Sequence, residues 1–293
     1  MSSPFHDSLT RFVFERAAVR GAVVSLDAAY RDILACHPYP SVLQHLLGET
    51  LAAVCLLANS LKFHGSLILQ LKGSGPIRLL VVECDAELKL RATVQWDGDI
   101  AADATLAQLA GDPRRSRLVL TLDPKDGGPL YQGIVALEGG SVAGLFEHYL
   151  ATSEQLESRL RLAVAEGRAC GLLLQRMPAS TDADTQTWKR ATLAVDAAAA
   201  PFAVTDAHTL LSTLFPDDDL RAFSPRHPRF ACSCSRERVA GALKMVGRAE
   251  IESILAEQAV VGVNCEFCNQ RYELDAAEAL ALFDTSPPAA AYH

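Results

Sequence analysis

Four cysteines near the C-terminal end are the residues of this chain best suited to chemistry. Cys232 and Cys234 form a CxC pair and Cys265 and Cys268 a CxxC pair, with 30 residues (235 to 264) between them. Thiolate sulfur is a soft ligand that zinc favours, and four of them make the closed tetrahedral set of a structural site. A catalytic zinc would keep one position open for water, commonly with His or carboxylate ligands, so direct metal catalysis is disfavoured. A thioredoxin-like enzyme would place its CxxC at a helix N-terminus within a βαβ unit. Here Cys265 and Cys268 fall on a turn between short strand-like runs.

The same sulfurs are redox-active, because coordination keeps them as the thiolates that oxidants attack. Across a turn, residues i and i+3 lie within about 7 Å, compatible with a disulfide between Cys265 and Cys268. In an extended segment Cys232 and Cys234 would stand roughly 6.6 Å apart with little slack. The CxxC pair is therefore expected to oxidise first.

These cysteines need elements to bring them together. Between the pairs, SRERVAGALKMVG reads as one helix, and AEIESILAEQ as another with Ile251, Ile254 and Leu255 on one face. After Cys268 come a short strand, Arg271 to Leu274, and a final helix capped by Asp275 with Glu278 three residues on. About 50 residues make a marginal core. Zinc binding in such sites is worth roughly 10 to 16 kcal/mol against about 5 to 15 for a whole domain, so loss of zinc should unfold this piece.

Upstream, apolar residues recur at helical spacing from Ser41 to Phe63, which predicts a long half-buried helix. The period then changes to two. Leu67, Leu69 and Leu71, the turn Gly73-Ser74-Gly75-Pro76 and the run Ile77 to Cys84 predict a hairpin. Strand-like runs follow at Leu88 to Trp96, Arg117 to Leu122 and Tyr131 to Leu137, then a helix at Val142 to Tyr149. The fold class is α+β, organised as an N-terminal α+β core domain (1–178), a helical linker (179–228) and a small C-terminal zinc-binding domain (229–293). The linker is alanine-rich at Ala197 to Ala200, with apolar stripes at Leu210, Leu211, Leu214 and Phe215 and at Trp188, Leu193 and Val195. It reads either as an ordinary connector or as a marginally stable segment whose apolar face can be uncovered. Cys36, Cys55, Cys84 and Cys170 read as core residues.

Bulk properties narrow the partners. The net charge is −8 and the pI near 5.5, which argues against nucleic acid. The N-terminus lacks the apolar region of a secretory signal, and no unbroken run approaches the roughly 18 apolar residues of a membrane span. A cytoplasmic, membrane-free protein is the simplest expectation, and in that compartment clustered cysteines are metal-binding or catalytic rather than a disulfide framework.

Phe230-Ala231-Cys232-Ser233-Cys234-Ser235-Arg236-Glu237-Arg238 with Cys265-Glu266-Phe267-Cys268 resembles the zinc centre of the bacterial thirty-three-kilodalton heat-shock protein family. The resemblance extends to Arg20-Gly21, Leu47-Gly48-Glu49, Leu61-Lys62-Phe63-His64-Gly65, Gln70, Lys72 to Pro76, Tyr131-Gln132-Gly133, Ser153 to Leu156 and Leu174 to Pro178, in the family's order. It is weakest in the linker. The resemblance implies a redox-regulated, ATP-independent holdase chaperone without enzymatic turnover. It implies one Zn2+ per chain in the reduced state, held by Cys232, Cys234, Cys265 and Cys268. It further implies that oxidants such as hypochlorous acid form disulfides within each pair and release zinc. The zinc domain and linker then unfold and the chain, as a homodimer, holds unfolding client proteins.

Two other functions compete with this one. A zinc-ribbon module for nucleic acid would need a basic face, but Cys232 to His293 holds five basic residues against nine acidic ones. An enzyme in the large domain would need a constellation that is not present: Gly73-Ser74-Gly75 sits in a hairpin rather than before a helix, the eight histidines lack ligand spacing, and Thr152 to Gln155 reads as a helix cap.

Overall fold

The structure is a computed structural model that describes residues 7–60, 65–124, 127–135, 137, 140–178, 181–198 and 206–284. Its chain divides into two units, Met1–Ala231 and Cys232–His293.

The larger unit is organised around one helix, α2 (Ser41–Ser60), after the short α1 (Ala28–Leu34). On one side of α2 lies a five-stranded sheet with β1 (Ser8–Phe14), β2 (Val19–Leu26), β8 (Ser158–Ala165), β9 (Arg168–Arg176) and β10 (Leu220–Ala222), in the order β10-β1-β2-β9-β8. On the other lies a six-stranded sheet with β3 (Gly65–Lys72), β4 (Ile77–Asp85), β5 (Lys89–Trp96), β6 (Arg117–Pro124), β7 (Tyr131–Val135) and β11 (Arg229–Phe230), in the order β11-β5-β4-β3-β6-β7. Because both faces of α2 meet a sheet, it is buried nearly all round, from Leu43 to Ala58, rather than half buried as its spacing suggested. Gly171 on β9 permits the close approach: a Cβ there would lie 2.7 Å from Leu56 Cδ1. The mean hydropathy of α2 reaches that of a membrane span although polar residues interrupt it, and its place between two sheets accounts for that composition.

The α+β class and the hairpin are as the sequence suggests, with β3 antiparallel to β4 and Leu71 opposite Leu80. Helix α3 (Leu106–Ala110) packs beneath that turn, and the Ala110 carbonyl accepts hydrogen bonds from the N–H groups of Ser74 and Gly75. Those amides are thus committed and do not cradle a phosphate. The cap expected at Thr152 to Gln155 is instead the end of α4 (Val142–Thr152), whose N-cap is Ser141; Tyr149 donates to Glu154 Oε1 at 3.1 Å. Cys55, Cys84 and Cys170 are buried as expected, whereas Cys36 is partly exposed and donates to the Asp32 carbonyl.

Residues of the expected linker form α5 (Asp182–Ala197), α6 (Ala207–Leu214) and β10. Helices α5 and α6 cover the outer face of the five-stranded sheet, where Trp188, Val195, Leu210, Leu211 and Phe215 pack on Phe12, Phe14, Leu172 and Leu174. Leu193 is 68% exposed and does not join the stripe, because Ala191 holds the inward position between Trp188 and Val195. The helix extension at 61–63, the motif residues Leu61 to His64 and the alanines at 199–200 lie outside the described residues.

Candidate metal centre

In the smaller unit, α7 (Arg236–Val246) and α8 (Arg248–Glu257) form the helical hairpin between the cysteine pairs. Strands β12 (Val260–Asn264) and β13 (Arg271–Asp275) pair antiparallel, and α9 (Ala276–Asp284) follows. Asp275 and Glu278 cap α9 reciprocally, with Glu278 N–H donating to Asp275 Oδ1 at 2.8 Å and Asp275 N–H to Glu278 Oε2 at 3.1 Å. The buried apolar core comprises Val239, Leu243, Ile251, Val261, Leu274 and Ala279.

Cys265 and Cys268 sit on the tight turn between β12 and β13, closed by Cys265 N–H to the Gln270 carbonyl and Asn269 N–H to the Cys265 carbonyl. Asn269 takes the left-handed φ of 56° that ends this turn, a conformation asparagine tolerates. Cys232 and Cys234 lie in the irregular segment just before α7, whose N-cap Ser235 accepts from Arg238 N–H. The N-terminal end of α7 thus follows directly on two of the four thiols.

All four Sγ atoms lie within 4.8 Å of one another. The contacts across the pairs are 3.6 Å for Cys232 to Cys265 and 3.4 Å for Cys234 to Cys268. A tetrahedral zinc with Zn–S bonds of about 2.3 Å requires sulfurs roughly 3.8 Å apart, so this donor set fits in both chemistry and size. Every sequence-derived ligand candidate is present in the cluster. Among the described residues no other group of three or more His, Cys, Asp or Glu is placed to hold a metal.

Tyr272 was not singled out from the sequence. It stands on β13 opposite Val263, and its hydroxyl donates to Cys234 Sγ at 3.1 Å. Its signal was available only through strand alternation beside a ligand-bearing turn. Burial pushes the Cys232 and Cys268 thiols up. Burial would raise Cys234 too, but hydrogen bonds from Tyr272 and the neighbouring thiols outweigh it and bring Cys234 down to about 7. The same bond to Cys234 pushes the Tyr272 phenol up to about 12.

A family model described as Hsp33 protein matches residues 7–275, which include all four cysteines. The chain is 42% identical over 282 residues to the 33 kDa chaperonin of Methylobacillus flagellatus, with 95% of each chain covered. It is 43% identical over 293 residues to the 33 kDa chaperonin of Chromobacterium violaceum, covering 99% of this chain and 98% of that one. In fold it is similar to the crystal structure of the 33 kDa chaperonin of Thermotoga maritima, with a TM-score of 0.81 at 20% identity over 95% of this chain and 98% of the other.

Proposed function

The chain belongs to the Hsp33 protein family, whose relatives are 33 kDa chaperonins, and we propose that it is an ATP-independent holdase that oxidation of its four-cysteine centre switches on. The observation that carries this reading is the cluster of four thiols within 4.8 Å in a unit that buries only six apolar side chains among its described residues. Cys232, Cys234, Cys265 and Cys268 would hold one zinc ion, which when bound supplies the cross-link that so small a core lacks.

Oxidation dismantles that ligand set. Each pair of thiolates gives up two electrons and forms one S–S bond, while hypochlorous acid, for example, takes them up with a proton to leave chloride and water. In the reduced cluster all four sulfurs lie within 4.8 Å of one another, with cross-pair contacts at 3.6 and 3.4 Å, so proximity alone does not select the disulfides. Loop closure does: once the unit loosens, Cys265 with Cys268 and Cys232 with Cys234 stay neighbours, whereas partners across the pairs separate. The CxxC pair is the first to close. The unit and the linker then lose their hold, and the apolar face of the five-stranded sheet becomes available to unfolding polypeptides, with two chains associating. Nucleic acid and membrane have no part in this account, and the cytoplasm is its setting.

The test is light-scattering aggregation of a chemically unfolded protein mixed with the reduced, zinc-loaded or the oxidised chain, while a chromogenic chelator records zinc. The account expects suppression only after oxidation, with about one zinc released per chain. Equal suppression in both states, or none in either, would contradict it.

A further inference from the structure

The stretch from Leu220 to Ala231 closes one edge of each sheet in the larger unit. β10 lies antiparallel on β1, with Phe12 opposite Ala222 and Phe14 opposite Leu220. The pairing continues at both ends: Glu15 N–H donates to the Asp219 carbonyl, Phe223 N–H to the Arg11 carbonyl, and Leu9 and Arg226 exchange both bonds. Farther on, the N–H groups of Arg229 and Ala231 donate to the carbonyls of Leu88 and Leu90 on the other sheet, and the next residue is Cys232.

This strap is a poor strand. Its regular part on β1 is three residues long, and Arg221 and Ala222 are exposed. Pro225 and Pro228 lack the N–H that a longer ladder would need. The ion pairs at its start, Arg221 with Glu15 and Arg16 with Asp219, join solvent-exposed groups, and such pairs contribute little. The opposite side of β1, by contrast, pairs with β2 continuously from Ser8 to Val13.

We propose that in the activated chain the β1 edge is a docking site for an extended segment of an unfolding polypeptide, added antiparallel in the place that β10 vacates. The proposal rests on the holdase reading above, in which oxidation frees the segment leading to Cys232. That the edge accepts an extended strand is visible in the strap seated on it. Backbone pairing is indifferent to most side chains, which suits a protein that holds many clients, and side chains at alternate positions supply the apolar contacts. The sheet face beside the edge offers Phe12, Phe14, Leu172 and Leu174 for that purpose once α5 and α6 release it. A proline-free segment can pair without a break along Ser8–Phe14, where the strap forms a regular ladder only from Phe12 to Phe14. An open strand edge is a template for other chains, and in this structure the strap covers it.

The test is residue-resolved amide exchange on the full chain, with a short synthetic peptide of alternating valine and threonine as probe. The same peptide with alternate amides N-methylated serves as control. The amides of Leu9 and Glu15 face the edge, whereas alternation turns those of Thr10 and Phe12 toward β2. In the reduced chain all four should exchange slowly. After oxidation Leu9 and Glu15 should speed up while Thr10 and Phe12 stay protected. Added peptide should slow Leu9 and Glu15 again by at least about tenfold, and the N-methylated control should not. Bound peptide with Leu9 and Glu15 still fast would overturn the proposal and leave the holdase reading intact. Protection of these amides in an oxidised dimer without peptide would overturn it in favour of a second copy's strap. An oxidised chain that binds neither peptide nor unfolded protein would overturn both.

Discussion

The two units of this chain reach stability by different routes. In the larger one, α2 is covered by a sheet on each side, and large side chains such as Leu43, Leu47, Leu51 and Leu57 are at most 2% exposed. In the smaller one six apolar residues are buried among those described, and Met245 and Val246 on α7 stand open to solvent. A unit of the first kind is held by burial that no oxidant touches. One of the second kind would depend on a metal held by its four sulfurs, so chemistry at those atoms would reach the fold directly. The linker lies between these extremes, with one packed face held by Trp188, Val195, Leu210 and Phe215.

Replacing a candidate ligand is the hardest test of that contrast. On the proposed function, Cys268→Ser should abolish stoichiometric zinc binding and unfold the smaller unit while the larger keeps its cooperative melt, because zinc held there would supply roughly 10 to 16 kcal/mol. Zinc titration and circular dichroism check this, and a variant that keeps the fold of residues 232–284 without zinc would break the contrast. Trp188→Ala acts on the linker. It removes a side chain 5% exposed whose Nε1 donates to Glu157 Oε1 at 2.8 Å. A loss of about 3 to 5 kcal/mol from α5 is expected, with holdase activity already present in the reduced state. Urea unfolding and the aggregation assay measure the two effects.

Tyr272→Phe is subtler. Loss of the bond to Cys234 should lower zinc affinity by about 10- to 100-fold, read by chelator competition, without unfolding the loaded chain. The smallest effect is expected from Thr181→Ala, which removes the N-cap that accepts from Asp184 N–H at 3.2 Å. About 0.5 to 2 kcal/mol should be lost from the linker alone, with no change in zinc affinity.

The sequence made parts of this plan readable for specific reasons. The cysteine pairs and their helical hairpin announce themselves by residue type and spacing, and β3 with β4 by alternation around a Gly-Pro turn. β9 was not read as a strand because both its faces are covered: Ala169 and Leu173 belong to the cluster around α2, and Cys170, Leu172 and Leu174 to the one under α5 and α6. Its run is therefore continuously apolar and carries no period. β10 and β11 are three and two residues long and exist only through their partners. The misplaced cap at Thr152 shows the limit of local motifs, since Thr152 Oγ1 bonds backward to the His148 carbonyl within the helix that it ends.

Oxidation is expected to dissolve the small unit and to spare the large one. Hydrogen exchange with mass spectrometry on the full chain, before and after hypochlorous acid, tests this most directly. The account predicts that peptides from 232–284 lose protection as zinc leaves, while those from α2, β3, β4 and β9 keep theirs. Protection retained across 232–284 in fully oxidised, zinc-free protein would contradict it.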